Sequence, residues 1–200
     1  MTEPTRFDQQ ISFLEYIDKL KYIVRKTRLF KSDRHENDAE HSWHLAMMAL
    51  VLSEHANQQV DLLKVIKMLL IHDIVEIHAG DTFLYDNNKS HDNTEDELKA
   101  AKEIFGMLPE EQANDLIEVW LEFEEGETAE ASFARSIDRL EPIMQNASNE
   151  GGTWAEYQVP LDKVVNKTKV IGNGSKVLWD YAKGLIDDNA ARGIIPVAKD

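Results

Sequence analysis

The sequence predicts an all-α protein, a single-domain helical bundle of about eight helices. Three observations lead there. Apolar residues recur at three- and four-residue spacings along most of the chain, as at Ile11, Leu14, Ile17, Leu20 and Ile23. Glycine (9) and proline (5) are scarce, and two-residue alternation of β-branched residues is hard to find. The 200 residues suffice for one sizeable core, and neither an internal repeat nor a linker-like change of composition divides them.

The elements follow in order. Phe7 to Lys26 carries the first amphipathic pattern. Asn37 followed by Glu40 forms a capping box that opens a second helix, running to about His55. A third extends from about Asp61 to Ala79 and is stopped by Gly80. Two more fit Asn93–Met107 and Pro109–Glu125, the latter with proline in its first turn. Thr128 starts another that reaches about Asn146, and after the Asn149–Gly152 loop the last two lie near Leu161–Ile171 and Ser175–Asn189. Trp43, Trp120, Trp154 and Trp179 sit among apolar neighbours and are expected in the core.

A formal charge of −15 repels nucleic-acid backbones, so no nucleic-acid partner is expected. A phosphate substrate would have to be drawn in by a metal ion or a few placed cations. With no cysteine, disulfides, thiol catalysis and thiolate metal sites are excluded. The start, MTEPTRFDQQ, lacks a cationic segment leading into an apolar one, and no apolar run approaches the ~18 residues of a membrane span. A soluble cytoplasmic protein with no membrane partner is the expectation.

The chemistry begins in the third helix. LLKVIKMLLIHDIVEI, residues 62–77, is apolar almost all round, which predicts a central buried helix. His72, Asp73 and Glu76 interrupt it and, at three- and four-residue spacing, share one face. Burying two carboxylates and an imidazole is costly unless something pairs with them, and a metal ion is a natural partner. A hydrogen-bonded polar trio near a helix end is the alternative. His41 and His44 stand three apart in AEHSWHLAMMAL, and Asp138 interrupts an apolar stretch in ARSIDRLEPIM. Together, histidines and aspartates would make a mixed nitrogen and oxygen site.

His41, the His72-Asp73 pair and Asp138 resemble the H…HD…D signature of the HD-domain metal-dependent phosphohydrolases. The longer strings EHSWH (residues 40–44), HDIVEIHAGD (72–81) and DRLEPIMQ (138–145) are similar to the YfbR-like 5′-deoxynucleotidase branch and related HD-domain-containing proteins. The likeness spans about residues 13–145, and helices near 160–190 are expected to pack on that core as part of one domain, residues 1–200. The resemblance implies an all-α bundle of the HD type, with His41, His72, Asp73 and Asp138 as metal ligands. It implies catalytic roles for Glu76 and Asp81, substrate contact by Asp81, and an arginine at Arg28 that orients the substrate phosphate. Residues 147–200 lie outside the matched motifs and receive no chemistry.

Phosphomonoester hydrolysis is an in-line attack of water on phosphorus, with charge spread over the phosphoryl oxygens. A divalent ion neutralises that charge, and a site with protein ligands and open positions needs near-octahedral coordination. Imidazole ligands suit Mn²⁺, Co²⁺, Fe²⁺ or Ni²⁺, while Zn²⁺ and Mg²⁺ are the other options. Glu76, one helical turn from His72, can act as general base without being a ligand. The expected function is removal of the 5′-phosphate from nucleoside monophosphates, with deoxyribonucleotides preferred. The same ligands would serve hydrolysis of ppGpp, a cyclic nucleotide or a dNTP, and a silent regulatory bundle is a third reading. The resembled family also implies a homodimer.

Overall fold

The structure, a computed structural model, describes residues 3–86 and 94–196. Helix α1 (Arg6–Ile17) starts at a capping box between Thr5 and Asp8, and a 3-10 turn over Asp18–Tyr22 ends it. The expected helix to Lys26 is overturned here. Val24–Arg28 is a strand, β1, paired antiparallel with β2 (His35–Asn37), with Val24 opposite Asn37 and Arg28 opposite His35. The reason is a short alternation hidden in a polar string. Val24 and Lys26 face out while Arg25 and Thr27 turn inward, the two-residue period of a strand.

Helix α2 (Asp38–Leu52) opens on the expected box, in which the Asn37 side chain accepts from the Glu40 amide and Glu40 reaches back to the Asn37 amide. Asp61 caps α3 (Leu62–Ile71), accepting from the amides of Leu63 and Lys64. The third helix does not continue to Ala79. It tightens to a 3-10 turn over His72–Val75, then resumes as the single turn α4 (Glu76–Ala79). Nor is it buried all round, since Leu63 and Leu70 are exposed. Gly80 ends α4 with φ +72°, a conformation costly for a side-chain-bearing residue, and so turns Asp81 off the helix axis.

Next come α5 (Thr94–Phe105), α6 (Glu110–Glu125) and the long α7 (Ala129–Ser148). Asn93, the expected start of α5, lies outside the described residues. Pro109 stands just before α6 as its cap position rather than inside it. Three short helices follow, α8 (Gly152–Glu156), α9 (Leu161–Thr168) and α10 (Ile171–Gly174), so the expected Leu161–Ile171 helix is broken in two. The chain closes with α11 (Lys176–Ala191), capped by Ser175.

Helix α7 is the hub, packed by α2, α3, α6, α10 and α11. Phe133, Ile137 and Leu140 bury its inner face among Leu45, Met68, Leu69 and Trp120. Helix α10 sits so close to it that a Cβ on Gly174 would stand 2.2 Å from the Ser132 carbonyl oxygen. Ser136 Oγ ties the two helices by donating to the Ile171 carbonyl at 2.8 Å. Of the tryptophans, Trp120 and Trp154 are fully buried as expected, but Trp43 is 63% exposed on the outer face of α2. No described helix is long and apolar enough to cross a membrane.

Candidate active site

The break after Ile71 positions the first half of the site. The Trp120 indole donates to the His72 carbonyl at 3.2 Å, holding the 3-10 turn in place. His72 Nδ1 lies 3.0 Å from the Leu69 carbonyl oxygen and donates to it, which fixes the tautomer and leaves Nε2 as an acceptor. That Nε2 is buried without a hydrogen-bond partner among the described residues, 3.2 Å from Asp73 Oδ1 and 3.7 Å from Asp138 Oδ1.

Helices α2 and α7 supply the rest. His41 Nε2 is 3.2 Å from Asp138 Oδ1 and 4.0 Å from Asp73 Oδ2, while its Nδ1 faces Glu141 Oε2 at 3.3 Å and Glu36 Oε2 at 3.5 Å. The structure thus brings His41, His72, Asp73 and Asp138 together. The ligand atoms of His41, His72 and Asp73 all lie within 4.8 Å of one another, close enough to share one ion. Glu76 and Asp81 line the adjoining cleft of about 670 Å³, along with His72, Asp73 and Asp138.

Arg28 is elsewhere. It is part-exposed and pairs with Glu156 at 3.2 Å, and it does not line the cleft. An arginine that does reach the cluster is Arg25, three residues earlier, with Nη1 2.8 Å from Asp73, 3.0 Å from Asp38 and 3.6 Å from Asp81. Reading Val24–Arg28 as helix hid it, because only the strand's alternation turns Arg25 inward. Asp38, Glu36 and Glu141 also went unassigned from the sequence. Two had a signal: Asp38 precedes His41 by three residues and Glu141 follows Asp138 by three, each on one helical face. His44 donates its Nδ1 hydrogen to Glu141 at 3.1 Å.

The electrostatics show whether a cation fits. Burial opposes charge on His72, yet Asp73 and Asp138 outweigh it and raise its pKa. Burial and Arg25 oppose charge on His41, but Asp138, Glu141 and Glu36 push it well above the ordinary histidine value. Burial, with Asp73, Asp81 and Asp38 adding repulsion, lifts Glu76 to about 9. Burial works against ionisation of Asp138, whereas Arg139, His41 and His72 hold it well below the usual carboxylate range. The carboxylates crowding the cluster thus favour the protonated forms of His41, His72 and Glu76. Replacing such protons by a divalent cation is what a His/Asp donor set does, and the unpartnered Nε2 of His72 faces the place for it. The cluster can hold a divalent metal.

A family model described as HD domain matches residues 17–179. The 5′-deoxynucleotidase HDDC2 of Bos taurus is 30% identical over 142 residues, covering 70% of this chain and 67% of the relative. That of Dictyostelium discoideum is 30% identical over 166 residues, covering 80% and 83%. The crystal structure of a "predicted metal-dependent phosphohydrolase" from Magnetospirillum magnetotacticum superposes with a TM-score of 0.90 at 48% identity, over 97% of this chain and 96% of the other.

Proposed function

We propose, from the premise that this chain belongs to the HD domain family, that it is a divalent-metal-dependent phosphohydrolase removing the 5′-phosphate from nucleoside monophosphates. The observation that carries this reading is the convergence of His41, His72, Asp73 and Asp138 beside a cleft that Glu76 and Asp81 also line. Asp96, Glu97 and Glu124 on the same cleft favour a monophosphate, since each further phosphate would meet uncompensated carboxylates. Deoxyribonucleotides are preferred, a choice supported by the names of the relatives and by Asp81, whose carboxylate at the cleft crowds a 2′-hydroxyl.

When bound, the ion neutralises charge on the phosphoryl oxygens and makes water a better nucleophile at neutral pH. Mn²⁺, Co²⁺, Fe²⁺ or Ni²⁺ suits this donor set best. Glu76 is the general base. With a cation held among the neighbouring aspartates, their repulsion on its carboxyl would be offset, and Glu76 could accept a proton from water. Arg25 does not need to leave its carboxylates to serve. It holds Asp73 and Asp81 in place and keeps one cationic group at the phosphate end of the cleft.

The enzyme acts on free nucleotides in the cytoplasm as a homodimer. A strip of exposed apolar residues on α2, Trp43, Met47, Leu50 and Val51, supports a second copy as its cover. Trp43→Glu should then yield monomers by light scattering, and an unchanged mass would remove this face from the interface. Phosphate release from nucleoside mono-, di- and triphosphates, each with Mn²⁺, Co²⁺, Fe²⁺, Ni²⁺, Zn²⁺ and Mg²⁺, tests the activity. Deoxyribonucleoside 5′-monophosphates should give the highest kcat/KM, and a better rate on a dNTP or ppGpp would overturn the assignment.

A further inference from the structure

The cleft has four basic walls, Arg25, Arg135, Arg139 and Lys167, and they are not equally available. Arg25 is engaged by Asp38, Asp73 and Asp81. Arg135 donates to the carbonyls of Phe123 and Glu124 at the end of α6. Among the described residues Arg139 pairs only with Asp138, at 3.4 Å, longer than a charge-assisted hydrogen bond, and its side chain is 31% exposed. Lys167 lies in the last turn of α9, and among the described residues no carboxylate stands within 4.0 Å of its ammonium. Next to it, Asn166 lines the same space.

A dianionic phosphate entering this acidic protein meets Asp96, Glu97 and Glu124 on the way. Cations already matched by carboxylates add little net attraction, so the unmatched ones decide whether it stays. We infer that Arg139 and Lys167, with Asn166 beside them, form an anion-binding wall that holds the phosphoryl group of the substrate next to the cage. Substrate binding then draws on α9, in the part of the chain that carries none of the HD motifs. Arg139 follows the ligand Asp138 directly on α7, so the wall and the cage are joined through one backbone step. It also lines a recess of about 70 Å³ with Phe83, Leu84 and Tyr85 that opens beside Asp81, which sets it where the phosphate meets the rest of a phosphomonoester.

The inference rests on the phosphomonoesterase reading, and its test separates the two. Inorganic phosphate is titrated calorimetrically into the metal-loaded protein, with metal content measured for every variant, and KM is measured for nucleoside monophosphates. Lys167→Ala and Arg139→Ala should each weaken phosphate binding about tenfold or more and raise KM alike, the scale of a lost charged hydrogen bond. Lys167→Arg should restore most of it. Unchanged phosphate affinity in Lys167→Ala overturns the wall, and this variant decides the matter if Arg139→Ala loses its metal through Asp138. A parent protein that binds no phosphate overturns it too. Phosphate binding that depends on Lys167, without nucleotide turnover, upholds the wall and removes the nucleotidase instead.

Discussion

His41 Nε2 and Asp138 Oδ1, 97 residues apart in sequence, meet at 3.2 Å in the interior of the protein. His72 Nε2 approaches the same oxygen at 3.7 Å. Such acceptors share a buried space only when a proton or a cation stands between them. His72→Ala and Asp138→Ala should therefore each abolish stoichiometric metal binding, read by elemental analysis. Each should also lower stability by about 3–5 kcal/mol, because a buried charge loses its partner. Full metal content in both variants would remove these residues from the cage.

Glu76 should behave differently from the ligands. Glu76→Gln preserves size and removes the base, so metal should remain while kcat falls by roughly 10²–10⁴. Loss of metal would make Glu76 a ligand, and a near-normal rate would deny it a part in proton transfer.

The pH dependence of the metal-free protein has a definite sign. Glu76 keeps its proton up to about 9 in the folded chain, against 4.5 for the ordinary value. Between those pH values the native state holds a proton that the unfolded state has released, so its contribution to stability declines as pH rises. The limiting slope is about 1.4 kcal/mol per pH unit. Melting of the metal-free protein from pH 5 to 9 should show this decline, and Glu76→Gln should make it shallower, leaving the part that the raised His41 and His72 contribute. A parallel decline in both proteins would place the titrating group elsewhere.

Two arginines three residues apart should give opposite results. Arg28 and Glu156 form a part-exposed pair, so Arg28→Ala should change stability by less than about 1 kcal/mol and leave kcat/KM nearly intact. Arg25→Ala strands Asp38, Asp73 and Asp81 and should cost about 3–5 kcal/mol in the metal-free protein. Unfolding and steady-state rates on both variants decide this, and an Arg28 phenotype equal to that of Arg25 would restore Arg28 as the phosphate arginine.

The sequence disclosed most of the bundle and the four residues that converge at the candidate metal site, but its reach had a physical limit. These four were legible because His72-Asp73 interrupts an apolar string and because EHSWH and DRLEPIMQ carry family-specific strings. The capping box at Asn37 and Glu40 was legible because both partners lie within one turn. Arg25 was not, since its direction depends on β1 pairing with β2, and strands of five and three residues leave almost no periodic trace. The break after Ile71 was hidden for a related reason. A tertiary hydrogen bond from Trp120, 48 residues away, holds the 3-10 turn, and nothing local in LLIHDIVEI announces it. Lys167 reached the cleft through the packing of α9, which no motif describes.

The contact between α10 and α7 sets Gly174 apart from Gly184, a second glycine of the C-terminal region. At Gly174 a methyl group would collide with backbone, the Ser132 carbonyl oxygen at 2.2 Å, and backbone on the central helix cannot move aside alone. Gly174→Ala should push α7 and carry Asp138 with it, so a change far from any ligand should be read as weakened metal affinity. At Gly184, inside α11, a Cβ meets nothing within 4 Å, and alanine there should stabilise by about 1 kcal/mol through helix propensity alone. Metal titration and melting of the two variants would show whether robustness in this protein is set by distance from the site or by attachment to the helix that bears Asp138. The packing argues for attachment: a methyl group fits freely at Gly184 on α11, whereas the seam at Gly174, far from any ligand in sequence, has no room for one.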